Sequence, residues 1–284
     1  MNPWTLSILI PCAALGPQTG MHRSLLAMGT TLHLQVEGGA RAVEPALAEL
    51  ETLEARCSTW RDTSLWSRLN AGGPVLLPEE DRAVLARVAE LSSRTEGAFD
   101  PVVGRLIQAW GLRSGGQVPS PEALEAARAA SGLAKLKGLP GQVNLQDGAW
   151  LEEGGFLKGH ALDRMARRLR QGGARAGLLD FGGQLLVWGP ARTVDLADPR
   201  ERARPRLSLT LRDASLSSSG TSERGRHILD PRTGRPCEAW GSVAVVRSTG
   251  LEADVYSTAL YVMGPDHGLA WAEAHGVAAA FLLN

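Results

Sequence analysis

Four short segments carry side chains whose types and spacing suit chemistry. The run Glu152-Glu153-Gly154-Gly155-Phe156-Leu157-Lys158-Gly159 leads straight into a predicted helix. Glycines ahead of a helix let the backbone approach a ligand closely, and a helix N-terminus favours an anion. Lys158 adds a point charge suited to phosphate; the plainer reading is a tight strand-to-helix turn with a solvated lysine. In Glu252-Ala253-Asp254-Val255-Tyr256-Ser257-Thr258-Ala259, Asp254 and Thr258 are four apart and share a face if helical. With Ser257 they offer only oxygen ligands, which suits a hard cation such as magnesium. The competing reading is an N-cap aspartate followed by hydroxyls that bond back to the preceding turn. Around Arg226-His227-Ile228-Leu229-Asp230-Pro231-Arg232-Thr233-Gly234, Asp-Pro-x-x-Gly reads as a turn after a short strand. There His227 either touches a ligand or is a satisfied polar residue at the strand end. The fourth segment, Gly97-Ala98-Phe99-Asp100-Pro101, reads as a helix C-cap glycine followed by a proline stop.

Other familiar chemistry is missing. The chain has no P-loop, no GxGxxG, no HExxH and no GxSxG. Its six histidines, at positions 22, 33, 160, 227, 267 and 275, have no metal-ligand spacing. Cys12, Cys57 and Cys237 form no CxxC pair, which argues against a thiolate zinc site or a disulfide framework and leaves one Cys57–Cys237 bridge open. Thirty Lys and Arg balance thirty Asp and Glu, so the basic footprint of a nucleic-acid binder is lacking. With 44% apolar and 21% charged residues, the chain can bury a sizeable core and is not disordered.

The elements that must position these segments follow from periodicity. Leu32, Leu34 and Val36 alternate as in a half-buried strand, and Val43, Leu47, Leu50 and Glu54 have helical spacing up to about Cys57. Val84, Leu85, Val88 and Leu91 predict a helix behind Pro78, and Ser120-Pro121 predicts an N-cap with proline at the first helical position. A helix is expected over 159–171, two short strands around Gly182-Gly183, and strands through Leu207–Leu211 and Val243–Val245. A helix near Asp254, another after Pro265 and a closing strand from Val277 to Leu283 complete the pattern. The softest stretches are expected at 113–119 and 198–205. Strands and helices mix without βαβ alternation, so the expected class is α+β, as one large domain or two intimately joined lobes. Leu6 to Leu15 is an uncharged apolar run too short to span a bilayer. It reads either as the apolar region of an export signal within residues 1–20 or as an N-terminal extension, with the folded domain over 21–284.

In order, these segments resemble the ApbE family, the FAD:protein FMN transferases. The resemblance rests on Met28-Gly29-Thr30, Ser58-Thr59-Trp60 to Asn70, Gly97 to Pro101 through Gly104 to Trp110-Gly111, and Gly154-Gly155 through Lys158-Gly159 to Asp163. It continues with His227 to Gly234 and Ala253-Asp254 through Thr258-Ala259, covering roughly residues 25–283. The resemblance implies a T-fold-like α+β architecture with mainly antiparallel sheets and packed helices. It implies a magnesium-dependent transfer of FMN from FAD, the substrate, to a threonine or serine hydroxyl of an acceptor protein, with release of AMP. Met28, Trp60, Ala98, Phe99, Asp100, Glu152, Lys158 and Ile228 fall at FAD-contact positions. The metal ligands would be the Gly155 carbonyl with Asp254, Ser257 and Thr258, and His227 falls near the reacting phosphate. Asp254 or His227 is then the candidate base. The acceptor would be a subunit of a membrane redox complex, and export would place the reaction in the periplasm. Where the family usually has Asp this chain has Glu152, where it has a small residue this chain has Leu157, and Ser257 stands where some members have Asp. Water in place of the acceptor would make the protein an FAD pyrophosphatase, and loss of catalysis would leave a non-enzymatic FAD-binding protein.

Overall fold

The structure, a computed structural model, describes residues 20–201, 203–220 and 227–284. The apolar run Leu6 to Leu15, read as an export signal or extension, lies outside them. In chain order the elements begin with β1 (Met21–Ala27), β2 (Thr30–Glu37), α1 (Val43–Cys57), α2 (Leu65–Asn70), α3 (Glu79–Ser93) and α4 (Gly104–Ala109). Next come α5 (Pro121–Ala129), β3 (Leu136–Lys137), β4 (Asn144–Leu145), α6 (Leu157–Gln171), β5 (Ala176–Phe181) and β6 (Gln184–Trp188). The remainder is β7 (Arg192–Ala197), β8 (Pro205–Leu211), β9 (Ala214–Gly220), β10 (Leu229–Asp230), β11 (Arg235–Pro236), β12 (Gly241–Arg247), α7 (Gly250–Met263), α8 (Pro265–Ala274) and β13 (Ala278–Leu283). The class is α+β, as expected.

The chain divides into two units. Among the described residues the first gathers 20–52, 157–201, 203–220 and 239–284; the second gathers 53–156 and 227–238. The first is built on a seven-stranded sheet in the order β1-β2-β5-β6-β9-β12-β13, with every neighbouring pair antiparallel. Both faces of its centre are covered. On one face, Leu178, Leu185, Val187, Leu216 and Ala244 pack against Val194, Leu196 and Leu211 of the β7–β8 hairpin. Against the other lie α6 and α7, which also pack on each other. Double cover explains β6, whose five residues Gln184–Trp188 are all buried where a half-solvated strand would alternate.

The second unit is mostly helical. Trp66, Leu69, Leu85, Val88, Leu91 and Val102 are fully buried, and the Trp66 and Phe156 rings lie 5.8 Å apart. A satellite cluster joins Leu106 of α4, Ala127 of α5 and Leu229 of β10. The N-cap expected at Ser120 is present, its hydroxyl accepting from Ala123 N at 3.2 Å, with Pro121 opening α5. Cys57 and Cys237 are free thiols, so the bridge left open by the sequence does not form.

Three boundaries differ from expectation. Helix α6 starts at Leu157, placing Lys158 in its first turn. Helix α7 starts at Gly250, because the Thr249 hydroxyl caps Glu252 N and leaves Asp254 inside the helix instead of at its cap. Gly97 is not a C-cap: α3 ends at Ser93 with Arg94 as its cap, and the chain then turns through left-handed Glu96 and Gly97.

Candidate functional site

In the first unit the site residues are gathered by the α6–α7 crossing. A Cβ on Gly159 would sit 2.2 Å from the Gly250 carbonyl oxygen, and one on Gly250 would sit 2.4 Å from that of Gly159. Only glycine at both positions permits this approach. Asp163, one turn further along α6, accepts from Gly250 N at 2.6 Å and Leu251 N at 2.9 Å, satisfying two of the open amides at the start of α7. Burial nonetheless pushes its pKa up to about 6.

The crossing brings Asp254 beside the start of α6. Asp254 is 5% exposed, accepts from Gly159 N at 3.1 Å, and lies 3.5 Å from Ser217 Oγ on β9. Burial raises its pKa; the Lys158 ammonium and these hydrogen bonds oppose the rise. A lysine in the first turn of a helix faces the positive end of the helix dipole, an unfavourable place that the Asp254 carboxylate offsets. Ser257 is fully buried, its Oγ 3.1 Å from Ser217 Oγ and 3.0 Å from both Ser219 Oγ and the Asp254 carbonyl oxygen. Thr258, four residues after Asp254, is half-buried. Among the described residues no three His, Cys, Asp or Glu side chains are grouped to hold a metal. The donors around Asp254 are hydroxyls and carbonyls with one carboxylate, a set that fits a hard cation and not a soft one. Met28 occupies the tip of the β1–β2 hairpin with φ of 45°, followed by Gly29 with φ of 72°. Two successive positive φ values match the twist of a two-residue hairpin loop, but a non-glycine residue there costs on the order of 1 kcal/mol.

In the second unit Trp60 stands 64% exposed, its ring centroid 4.4 Å from the Arg113 guanidinium carbon. Arg113 donates to the Thr59 carbonyl at 2.9 Å, to the Thr59 hydroxyl and to Glu152 Oε2. Glu153 accepts from Thr59 N at 2.8 Å and from its hydroxyl, and lies 3.8 Å from Arg113. Burial drives the Glu152 pKa up to about 7; the neighbouring Glu153 charge adds to the rise and Arg113 opposes it. Asp100 is committed to the backbone, accepting from Val102 N and Leu133 N at 2.7 Å each. Ala98 and Phe99 are 1% and 4% exposed, with their amides bonded to Thr95 and the Phe99 carbonyl accepting from the Ser92 hydroxyl. His227 is half-buried and Ile228 buried, ahead of the β10–β11 hairpin that the Asp-Pro-x-x-Gly turn closes. Gly155, half-buried, belongs to the turn before α6. The Cys237 thiol is raised to about 12 and that of Cys57 is also raised, both by burial, which removes them as thiolates at neutral pH.

The part played by four residues escaped the sequence reading. Arg113 marked only the edge of a stretch expected to be soft. Ser217 and Ser219 had a legible signal: with Ser215 they alternate along β9 and so share one face. Asp163 closed a motif, but its role as a cap on a helix nearly ninety residues away was not readable.

The ApbE family model matches residues 28–281. The FAD:protein FMN transferase of Treponema pallidum is 28% identical over 328 aligned residues, covering 98% of this chain and 91% of that protein. The protein of the same name from Haemophilus influenzae is 29% identical over 300, covering 90% and 84%. Among solved structures, the apo Pseudomonas stutzeri flavinyl transferase ApbE matches with a TM-score of 0.83 and 28% identity, covering 95% of this chain and 94% of its own. The ApbE protein of Thermotoga maritima matches at 0.86 and 25%, covering 93% and 94%. The ordered motifs, the antiparallel sheet with its crossed glycine-paired helices, and a match running nearly from end to end agree: this chain belongs to the ApbE family.

Proposed function

We propose that this chain is an FAD:protein FMN transferase that uses magnesium to move FMN from FAD to a threonine or serine hydroxyl of an acceptor protein, releasing AMP. The observation that carries this reading is the buried Asp254 beside Lys158 and a bank of hydroxyls, in a chain aligned over nearly all its length with proteins named for that activity. Asp254, Ser257 and Thr258 would hold the magnesium, which when bound supplies positive charge to the pyrophosphate. Ser257 would have to release its contacts with the β9 serines to offer its hydroxyl, whereas Thr258 sits nearer solvent.

The protein's own groups do the rest. Lys158 offers an ammonium to the departing phosphate, and the open face of Trp60 offers a surface for an aromatic ring. The acceptor oxygen bonds to the FMN phosphorus, the P–O bond toward AMP breaks, and the hydroxyl proton passes to a base, Asp254 or His227. No covalent enzyme intermediate is required, since phosphoryl-type transfer depends mainly on positioning and charge compensation. We assign the acceptor to membrane redox complexes outside the cytoplasm on the resemblance and the apolar N-terminal run alone.

The test incubates the purified chain with FAD, magnesium and a threonine-bearing acceptor domain, and weighs the intact acceptor by mass spectrometry. A gain equal to FMN that disappears without magnesium is the expected result. Free FMN and AMP with an unmodified acceptor would replace this reading with an FAD pyrophosphatase.

A further inference from the structure

Trp60 is mounted with unusual firmness for a side chain left 64% exposed. One guanidinium holds it in two ways. Arg113 backs the ring at 4.4 Å and also bonds the carbonyl of the preceding residue, Thr59, at 2.9 Å. The Thr59 amide is fixed in turn by Glu153 at 2.8 Å, and the Trp60 amide donates to Ser58 Oγ at 3.3 Å. Ring and backbone are therefore both restrained before any ligand arrives. The same guanidinium is bonded to Glu152 and lies 3.8 Å from Glu153, so a single cation serves two carboxylates and the aromatic ring.

We propose that Arg113 is a positioning residue for flavin-nucleotide binding, acting through Trp60: it presents the indole as a preorganised stacking surface and ties its orientation to Glu152. This deepens the transferase reading and rests on it, because that reading makes Trp60 an FAD contact. The physical case is entropic. An exposed tryptophan without a backing group samples several rotamers, and ordering it on binding subtracts from affinity; a ring already held loses less. The Arg113 contact with the ring is itself favourable, and more so where ligand shields it from water. Lysine cannot replace it fully, because a point charge cannot meet the ring, the Thr59 carbonyl, the Thr59 hydroxyl and Glu152 together.

The experiment titrates FAD into the full chain, following flavin absorbance and fluorescence, for the wild type, Arg113→Ala, Trp60→Ala and the double variant. Transfer rates are measured at saturating FAD for the wild type and Arg113→Ala. Arg113→Ala is expected to weaken FAD binding on the order of tenfold and to leave the saturated rate within about threefold, because the lost interaction is ground-state binding. In the Trp60→Ala background, removing Arg113 should cost clearly less than in the wild type, the remainder coming from its contact with Glu152. If Arg113→Ala melts early, Arg113→Lys takes its place and should fall between wild type and Trp60→Ala. Equal loss from the arginine change in both backgrounds overturns the proposal, since Arg113 would then act independently of Trp60. Unchanged affinity in the arginine variant while Trp60→Ala is impaired also overturns it and leaves the FAD contact standing. Unchanged affinity in Trp60→Ala removes the contact reading and the proposal together, and a wild type that binds no FAD overturns the transferase reading itself.

Discussion

Asp254, buried, and Glu152, half-buried, both have raised pKa values, yet their surroundings differ. Asp254 meets an amide, a hydroxyl and a lysine charge, while Glu152 shares one arginine with a second carboxylate. Replacing Asp254 by Ala is expected to cut the proposed FMN transfer by about 100-fold or more, read as flavin fluorescence on the separated acceptor; activity near wild type would remove Asp254 from the proposed mechanism. Glu152 bears on stability as well as binding. Its folded-state pKa of about 7 lies above the ordinary value of 4.5. The folded state therefore binds more protons across that window, and the contribution to stability is complete below pH 4.5 and lost as pH rises through 7. Glu152→Gln should flatten the fall in unfolding free energy over that range, measured by urea denaturation at several pH values. A slope from Asp163, raised to about 6 by burial, remains in the variant and ends near pH 6. An unchanged slope would mean that Glu152 is not the group that titrates.

At the scale of elements, the register of α6 against α7 sets where Asp254 lies beside Lys158 and Gly159. The Gly159–Gly250 approach fixes the separation of the two helices, and Asp163 fixes their rotation by capping α7 from α6. Asp163→Ala leaves two helix-start amides without their acceptor and should cost about 1–2 kcal/mol in urea denaturation. Because the shift reaches Asp254 through α7, the proposed FMN transfer should fall as well, and loss of stability without loss of transfer would separate the cap from the site. Much at this scale was legible beforehand. Apolar spacing located α1, α3 and α6 and the strands around Gly182-Gly183 to within a few residues. The start of α7 lies earlier than expected because Thr249-Gly250-Leu251-Glu252 holds the capping signal, with Thr249 as cap, while Asp254 before a hydrophobic run also looks like a cap in sequence.

For the whole molecule, the chain order and the division into units do not coincide. Residues 53–156 fall in the second unit, yet β10 and β11 reach that unit from far along the sequence, and Leu229 of β10 packs with Leu106 and Ala127. A fragment of residues 53–156 alone would leave that cluster open and is expected to melt without cooperativity. Joining residues 227–238 to it by a short linker should restore a cooperative transition by circular dichroism. Equal cooperativity in both fragments would show that the hairpin adds nothing to the unit.

The sequence by itself determined the α+β class, most elements, the turn at Asp230-Pro231, and the set of motifs that resembles the ApbE family, because these depend on local periodicity, glycine and proline placement, and residue order. Only the tertiary structure decided that Arg113 lies under Trp60, that Asp163 caps a helix remote in sequence, and that the β9 serines line the Asp254 environment. Each of these is a pairing of side chains between distant segments. Local pattern is silent about such pairs, because what selects them is the packing of whole elements and the need to satisfy buried charge and amide groups once water has been excluded.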